Sequence, residues 1–252
     1  MSVVVVTGSS RGIGAAIARY LGAREWAVCV NFRDTQDAAE AVVSDIKSTG
    51  GRAVAVRADV SDEKQVEEMF DQAADRLGPI TGLVNNAGIM GSSGPVSEIN
   101  RDETLRLFEV NVLGPMICTK AAIRHMGRSH GGQGGAIVNI SSPAAIHGGV
   151  GSYVDFASSK AALDRYTSAA AQEQIPDGVR INGLRPGLVM TEGNQAWADA
   201  HPEWLPGIVK NVPIGREAHN DEIPAAVMWL LSDASSYVVG TIVDASGGFS
   251  IR

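Results

Sequence analysis

Four consecutive valines, Val3 to Val6, stand near the start of the chain. A strand with one wet face alternates apolar and polar positions, so an unbroken apolar run over 2–6 predicts a strand covered on both faces, as in a parallel sheet. Residues 15–21 follow as an alanine-rich stretch with apolar side chains on one face, the pattern of a helix. The alternation then repeats. Strands over 26–32, 52–57, 80–84, 137–140, 179–184 and 238–244 are separated by helices over 37–49, 62–76, 101–126, 152–172 and 221–232. Gly50-Gly51 stops one helix, and Ser61 is placed to cap the next by accepting a bond from an orphan backbone N–H.

Strands that alternate with helices of a dozen or more residues imply right-handed crossovers. The fold predicted is α/β, a doubly wound, seven-stranded parallel sheet with helices on both faces, built as a single domain over 1–252. Ligands of such sheets bind beyond the C-terminal strand ends. The loops after Val6, Phe32, Ala58, Val84, Ser142 and Leu184 all fall on that edge. Residues 190–216 break the rhythm, with Trp197, His201, Pro202, Trp204, Pro206 and Pro213 in a loosely helical insertion, the natural lid over a substrate.

Charge and composition narrow the partners. A formal charge of −7 spread without a basic stripe argues against nucleic acid. The apolar run at the N-terminus is far shorter than the ~20 residues a membrane helix needs, and no cationic segment precedes it. Cys29 and Cys118 lie in apolar contexts without metal-ligand spacing, which reads as packing thiols in a reducing compartment. The expectation is a soluble, cytoplasmic protein that binds a small molecule and no metal.

Candidate chemistry sits in the loops. Thr7-Gly8-Ser9-Ser10-Arg11-Gly12-Ile13-Gly14 joins the first strand to the first helix with the spacing T-G-x-x-x-G-x-G. Glycines let the backbone approach a pyrophosphate, and the helix N-terminus favours the anion. The second strand ends in Asn31-Phe32-Arg33, where an acid would bind ribose hydroxyls and an arginine suits a 2′-phosphate. With Arg11 as a second cation, the balance favours NADP(H) over NAD(H). Asp59, just past the third strand, can accept an adenine amino group or serve a turn. Asn85-Asn86-Ala87-Gly88 lets the chain pass close to a flat ligand. Asn111 lies inside a predicted helix at a cost of about 0.5 kcal/mol, which marks a packing or functional task. The run 137–140 ends in Ser141 and Ser142, and a Gly-rich loop leads to the helix of Lys160.

Together these residues resemble the short-chain dehydrogenase/reductase family over essentially the whole chain. TGSSRGIG at 7–14, Asp59-Val60, NNAG at 85–88, Asn111, VNISS at 138–142, Lys160 in SSKAAL and RPGLVMT at 185–191 each resemble a family motif, in the family's order. The resemblance implies a Rossmann-type NAD(P)-binding domain and an oxidoreductase that moves hydride to or from a small organic substrate. It implies cofactor contacts from Gly8, Ser10, Arg11, Gly12, Ile13, Gly14, Asn31, Phe32, Arg33, Asp59, Val60, Asn86, Ala87, Gly88, Lys160, Pro186, Gly187, Val189 and Thr191. It also implies a homo-oligomer, tetramer or dimer, joined through the helices at 101–126 and 152–172.

In the family's carbonyl reductases a serine holds the substrate oxygen and a tyrosine donates the proton. A free phenol has a pKa near ~10, so a neighbouring lysine and the cofactor ribose ease that proton off. The helix asparagine anchors a relay water. Ser142, with Ser141 beside it, Lys160 and Asn111 match three of these positions, whereas the tyrosine position, four before Lys160, holds Phe156. Tyr153 stands about 10.5 Å from Lys160 along the axis by helical rise and leans away from it, which suits a substrate wall better than an acid. His147 reads either as an exposed loop residue or as a substrate contact, and Trp197 and Trp204 either stack on substrate or pack the lid.

Three readings follow. In the first, the substrate is a C=N or iminium compound, or a hemiaminal: an iminium carbon already carries positive charge, so hydride addition gives a neutral amine and needs no phenol. Alternatively the chain handles ketones and alcohols, with Phe156 an inactivating replacement or another group as acid, or it binds NADP(H) without catalysis.

Overall fold

In the computed structural model, which describes residues 2–91, 93–149 and 152–251, a seven-stranded parallel sheet runs in the order β3-β2-β1-β4-β5-β6-β7. The strands are β1 Val3–Val6, β2 Ala27–Phe32, β3 Arg52–Arg57, β4 Ile80–Asn85, β5 Gly135–Ile140, β6 Val179–Pro186 and β7 Ile242–Ala245. Helices α1 Gly12–Gly22, α2 Gln36–Ser48 and α10 Glu222–Leu231 cover one face. Helices α3 Glu63–Leu77, α5 Gly114–Met126 and α7 Val154–Gln174 cover the other.

The valine run shows why both faces are apolar. Val4 and Val6 join a core with Ile17, Leu21, Val42 and Leu230, while Val3 and Val5 join a separate one with Val66, Phe70 and Cys118. Successive side chains of a strand point to opposite faces, so each valine adds roughly 1.5–3 kcal/mol of burial to one layer or the other.

Most boundaries shift by one or two residues, and four of the differences have a tertiary reason. Trp26 still closes the end of α1 through its N–H on the Leu21 carbonyl, so β2 starts one residue late. Asp62, not Ser61, caps α3 by accepting from Gln65 N, because the Ser61 hydroxyl is committed to Asp59 Oδ1 at 2.7 Å. The last strand begins at Ile242 rather than 238, since the Val238 carbonyl accepts from Asn182 Nδ2 and the chain turns at Gly240. The helix expected over 101–126 is α4 Arg101–Phe108 followed by α5, joined by a π-turn at Glu109–Leu113 that contains Asn111. The segment 190–216 holds two short helices, α8 Glu192–Ala200 and α9 Trp204–Val209. Among the described residues no helix is long and apolar enough to cross a membrane, and no cluster of His, Cys, Asp and Glu could hold a metal ion.

Candidate active site

The strand order reverses between β1 and β4, and a doubly wound sheet opens a crevice at such a switch point. A groove of about 480 Å³ lies there. Fourteen residues of the expected cofactor set line it: Gly8, Ser10, Arg11, Ile13, Gly14, Asn31, Phe32, Arg33, Asp59, Val60, Asn86, Ala87, Gly88 and Thr191. Gly12 and Val189 line an adjoining depression on the other side of Ile13 and Thr191. Gly187 opens instead on a separate cavity with Val212, Ile214 and Ser246, while Pro186 and Lys160 are buried deeper along the strand ends.

The glycine loop is shaped by close approaches. A Cβ on Gly14 would stand 2.4 Å from Asn86 Nδ2 and 2.6 Å from the Gly8 carbonyl, and Gly8 itself has φ +60 with Ala87 Cα 2.8 Å from where its Cβ would be. These contacts bring the loop against β4, and α1 then starts at Gly12 with its free N–H groups facing the groove end. A cradle that a methyl group would fill, at a helix N-terminus, fits a dinucleotide pyrophosphate.

The amides around it hold backbone. Asn31 Oδ1 accepts from Gly8 N at 3.0 Å and its Nδ2 donates to the Ala58 carbonyl at 3.1 Å, so its amide ties the loops together at the groove wall. Asn86 Nδ2 donates to the carbonyls of Thr7 and Gly8. Arg33, half exposed, pairs with Asp34 at 2.6 Å. Asp59 also has partners before any ligand arrives. Partial burial works against its charge, but hydrogen bonds from Ser61 N and Oγ and from Arg106 outweigh it and hold the carboxyl below its ordinary value.

Arg106 is one of the lining residues that sequence reasoning missed. Its Nη2 meets Asp59 Oδ2 at 2.6 Å and its Nη1 donates to Ser61 Oγ at 2.7 Å. It stands 47 positions from Asp59, and no local spacing signals the contact. Thr35, another unforeseen wall residue, donates to Ser10 Oγ at 2.7 Å.

At the inner end, Lys160 Nζ donates to the Ile140 carbonyl at 2.8 Å and lies 5.7 Å from the centre of the Phe156 ring, one helical turn back on α7. Lys160 is only 5% exposed, and burial brings its pKa down to about 8 against the pull of Asp164. Asn111 is fully buried and uses both ends of its amide: Oδ1 accepts from Ile89 N, and Nδ2 donates to the Ile89 carbonyl and to Ser159 Oγ. The π-turn thus fastens the loop after β4 to α7, which is the task its helix-breaking position announced. Of the two serines, Ser141 is buried with a hydroxyl that has no partner, while Ser142 is half-buried and its Oγ accepts from Ala144 N. Below them Asn85, Asn139 and Thr167 form a buried hydrogen-bonded chain from β4 through β5 to α7.

The comparisons with known proteins agree with this fold. The family model described as "Enoyl-(Acyl carrier protein) reductase" matches residues 8–250. An uncharacterized oxidoreductase, YgfF, of Escherichia coli K12 is 39% identical over 248 residues, covering 98% of this chain and all of the relative. The chain belongs to the short-chain dehydrogenase/reductase family. As a short-chain dehydrogenase/reductase it is an NAD(P)H-dependent oxidoreductase. Two solved members illustrate the likeness: gluconate 5-dehydrogenase of Burkholderia cenocepacia in complex with NADP and tartrate, with TM-score 0.90, 30% identity and coverage of 100% of this chain and 96% of the other, and a blue fluorescent protein from a metagenomic library in complex with NADPH, with TM-score 0.88, 33% identity and coverage of 98% and 97%.

The remaining residues named as substrate contacts divide in this dehydrogenase/reductase. Tyr153 stands at the N-cap of α7, half-buried. His147 is not a free loop histidine: its Nε2 lies 2.9 Å from the Phe249 carbonyl and its ring packs edge-on against the Phe249 ring, tying α6 Ala144–His147 to the C-terminal turn. Trp197 stacks on His201 within its own segment at 3.9 Å between ring centres and is half exposed, whereas Trp204 is half-buried at the start of α9.

Proposed function

We propose that the protein is an NADP(H)-dependent reductase of C=N or iminium substrates. The observation that carries this is Phe156. One turn before a buried lysine, where a carbonyl reductase of this family would present a phenol, there is a ring without an O–H. An iminium carbon is already positive, so the product of hydride addition is a neutral amine and no alkoxide forms that must be protonated. A neutral imine takes up its proton from solvent and is reduced as the iminium, so losing the acid removes nothing the hydride step uses. The bound nicotinamide supplies the hydride. The chain's own residues do the rest: Gly8, Gly12 and Gly14 with the α1 N-terminus receive the pyrophosphate, Lys160 holds the nicotinamide ribose, and Ser142 and Tyr153 border the substrate. Asn111 holds the loop that carries Gly88 and Ile89 against the helix of Lys160. Trp197 and Trp204 belong to a segment, 190–216, suited to close over a substrate.

The test is NADPH oxidation with cyclic imines beside simple ketones. Turnover of imines with little turnover of ketones is expected; activity confined to ketones would make Phe156 an inactivating replacement in a carbonyl reductase, and tight NADPH binding with no hydride loss to either class would make the protein a binder.

The NADP(H) preference rests on Arg33 at the end of β2, with Arg11 in the loop, and draws support from the NADP and NADPH complexes of the two solved relatives. A charge-assisted contact to phosphate contributes about 1.5–3 kcal/mol, so Arg33→Ala should weaken NADPH binding by roughly 10–100-fold while NADH binding stays the same. Equal losses for both cofactors in a fluorescence titration would remove Arg33 from that role.

A further inference from the structure

Helix α7 carries a second ionic group below Lys160. Asp164 lies one turn further on, on the same face of the helix. Its Oδ2 accepts from Arg185 Nε at 3.0 Å and Nη2 at 2.6 Å, and the two side chains are only 11% and 18% exposed. Its Oδ1 is enclosed and meets no hydrogen-bond partner among the described residues. Arg185 belongs to β6, next to Leu184, whose carbonyl accepts from Ser141 N. The pair therefore sits between the catalytic helix and the strand beside the two serines.

A buried ion pair with an idle oxygen is a poor way to gain stability, since apolar residues of the same volume serve as well or better. Its position gives it another use. Lys160 is shut away from water, and a lone ammonium there is disfavoured. The groups that face it from β5, the π-turn and the loop after β4 are neutral: the Ile140 carbonyl, Asn111 and Gly88. The charged groups are Asp164 on its own helix and, behind Asp164, Arg185 on β6.

We propose that Asp164 is a positioning residue whose carboxylate keeps the Lys160 ammonium charged, and that Arg185 moderates this effect. Asp164 touches no ligand; it acts through the lysine. Its role matters more here than it would beside a phenol, because Phe156 cannot change charge and Lys160, its value standing at about 8, can do so near neutrality. Arg185 sets the strength of the effect, since its cation offsets part of the field that Asp164 exerts on Lys160. Removing the anion should lower the lysine's value, and removing the arginine should raise it.

The opposite signs provide the test. In protein carrying ¹³Cε-lysine, the Lys160 resonance is assigned by its loss in Lys160→Met, and its midpoint is followed as pH is raised. Asp164→Asn should move the midpoint down by about one unit, which leaves up to tenfold fewer charged lysines at pH values well above the native midpoint. Arg185→Gln should move it up, and Asp164→Glu, which retains the charge, should stay near the native midpoint. A purely structural role would move both neutral variants the same way or neither. Either outcome overturns the proposal. Arg185 lies on β6, so Arg185→Gln leaves the sequence of α7 unchanged, and an unmoved midpoint in the folded variant overturns the proposal even where Asp164→Asn does not fold. The midpoint involves no hydride transfer, so it is independent of which bond the enzyme reduces.

Discussion

Phe156→Tyr should raise ketone turnover by ~10²–10⁴-fold, the range expected of a positioned general acid, while imine turnover changes little. The new hydroxyl would extend from a ring whose centre is 5.7 Å from Lys160 Nζ, and the lysine cation beside it would stabilise the phenolate left after proton transfer. A ketone becomes an alkoxide and gains from that acid, whereas an iminium becomes an amine and does not. The measurement is kcat/KM for matched ketone and imine substrates in the native and substituted enzymes. Equal gains for both would show that the ring's polarity matters to hydride transfer itself and would sink the assignment of Phe156 to C=N chemistry.

Gly14→Ala should abolish measurable NADPH binding and destabilise the fold by about 1–3 kcal/mol. The new methyl would stand 2.4 Å from the Asn86 amide and 2.6 Å from the Gly8 carbonyl, neither of which can yield without opening the loop. Asn86 holds the carbonyls of Thr7 and Gly8, so the clash would spread from α1 through the glycine loop to the end of β4. Thermal unfolding and a fluorescence titration with NADPH read the two effects separately. Full affinity in the alanine variant would mean that this loop does not form the pyrophosphate cradle.

The sheet was legible because its strands are buried on both faces and its helices carry one-sided apolar patterns; the valines of β1 and the glycine loop alone locate the groove. What was not legible depended on partners far along the chain. Arg106 reaches Asp59 across 47 positions and His147 reaches Phe249 across 102, and neither pairing leaves a periodic trace. Ser61 and Asp62 are both good caps, and the choice fell to the neighbour that Asp59 had not claimed. Asn31 lines the groove as its place at the strand end suggests, but the bonds of its amide to the backbone of Gly8 and Ala58 left no trace in the local sequence. Phe156 was the reverse case for placement: four residues before Lys160, its position beside that side chain could be read from helical spacing alone.

The π-turn at Asn111 has a wider consequence. A π-turn holds one residue more than the α-helical turn it replaces, so α4 and α5 are out of phase by about 100° compared with an unbroken helix. Deleting a single residue between 109 and 113 would leave a regular helix and swing α4 away from the face it now shows to α7. The chain has a one-residue insertion's worth of slack at this point, and the slack is spent on turning one amide toward Ile89.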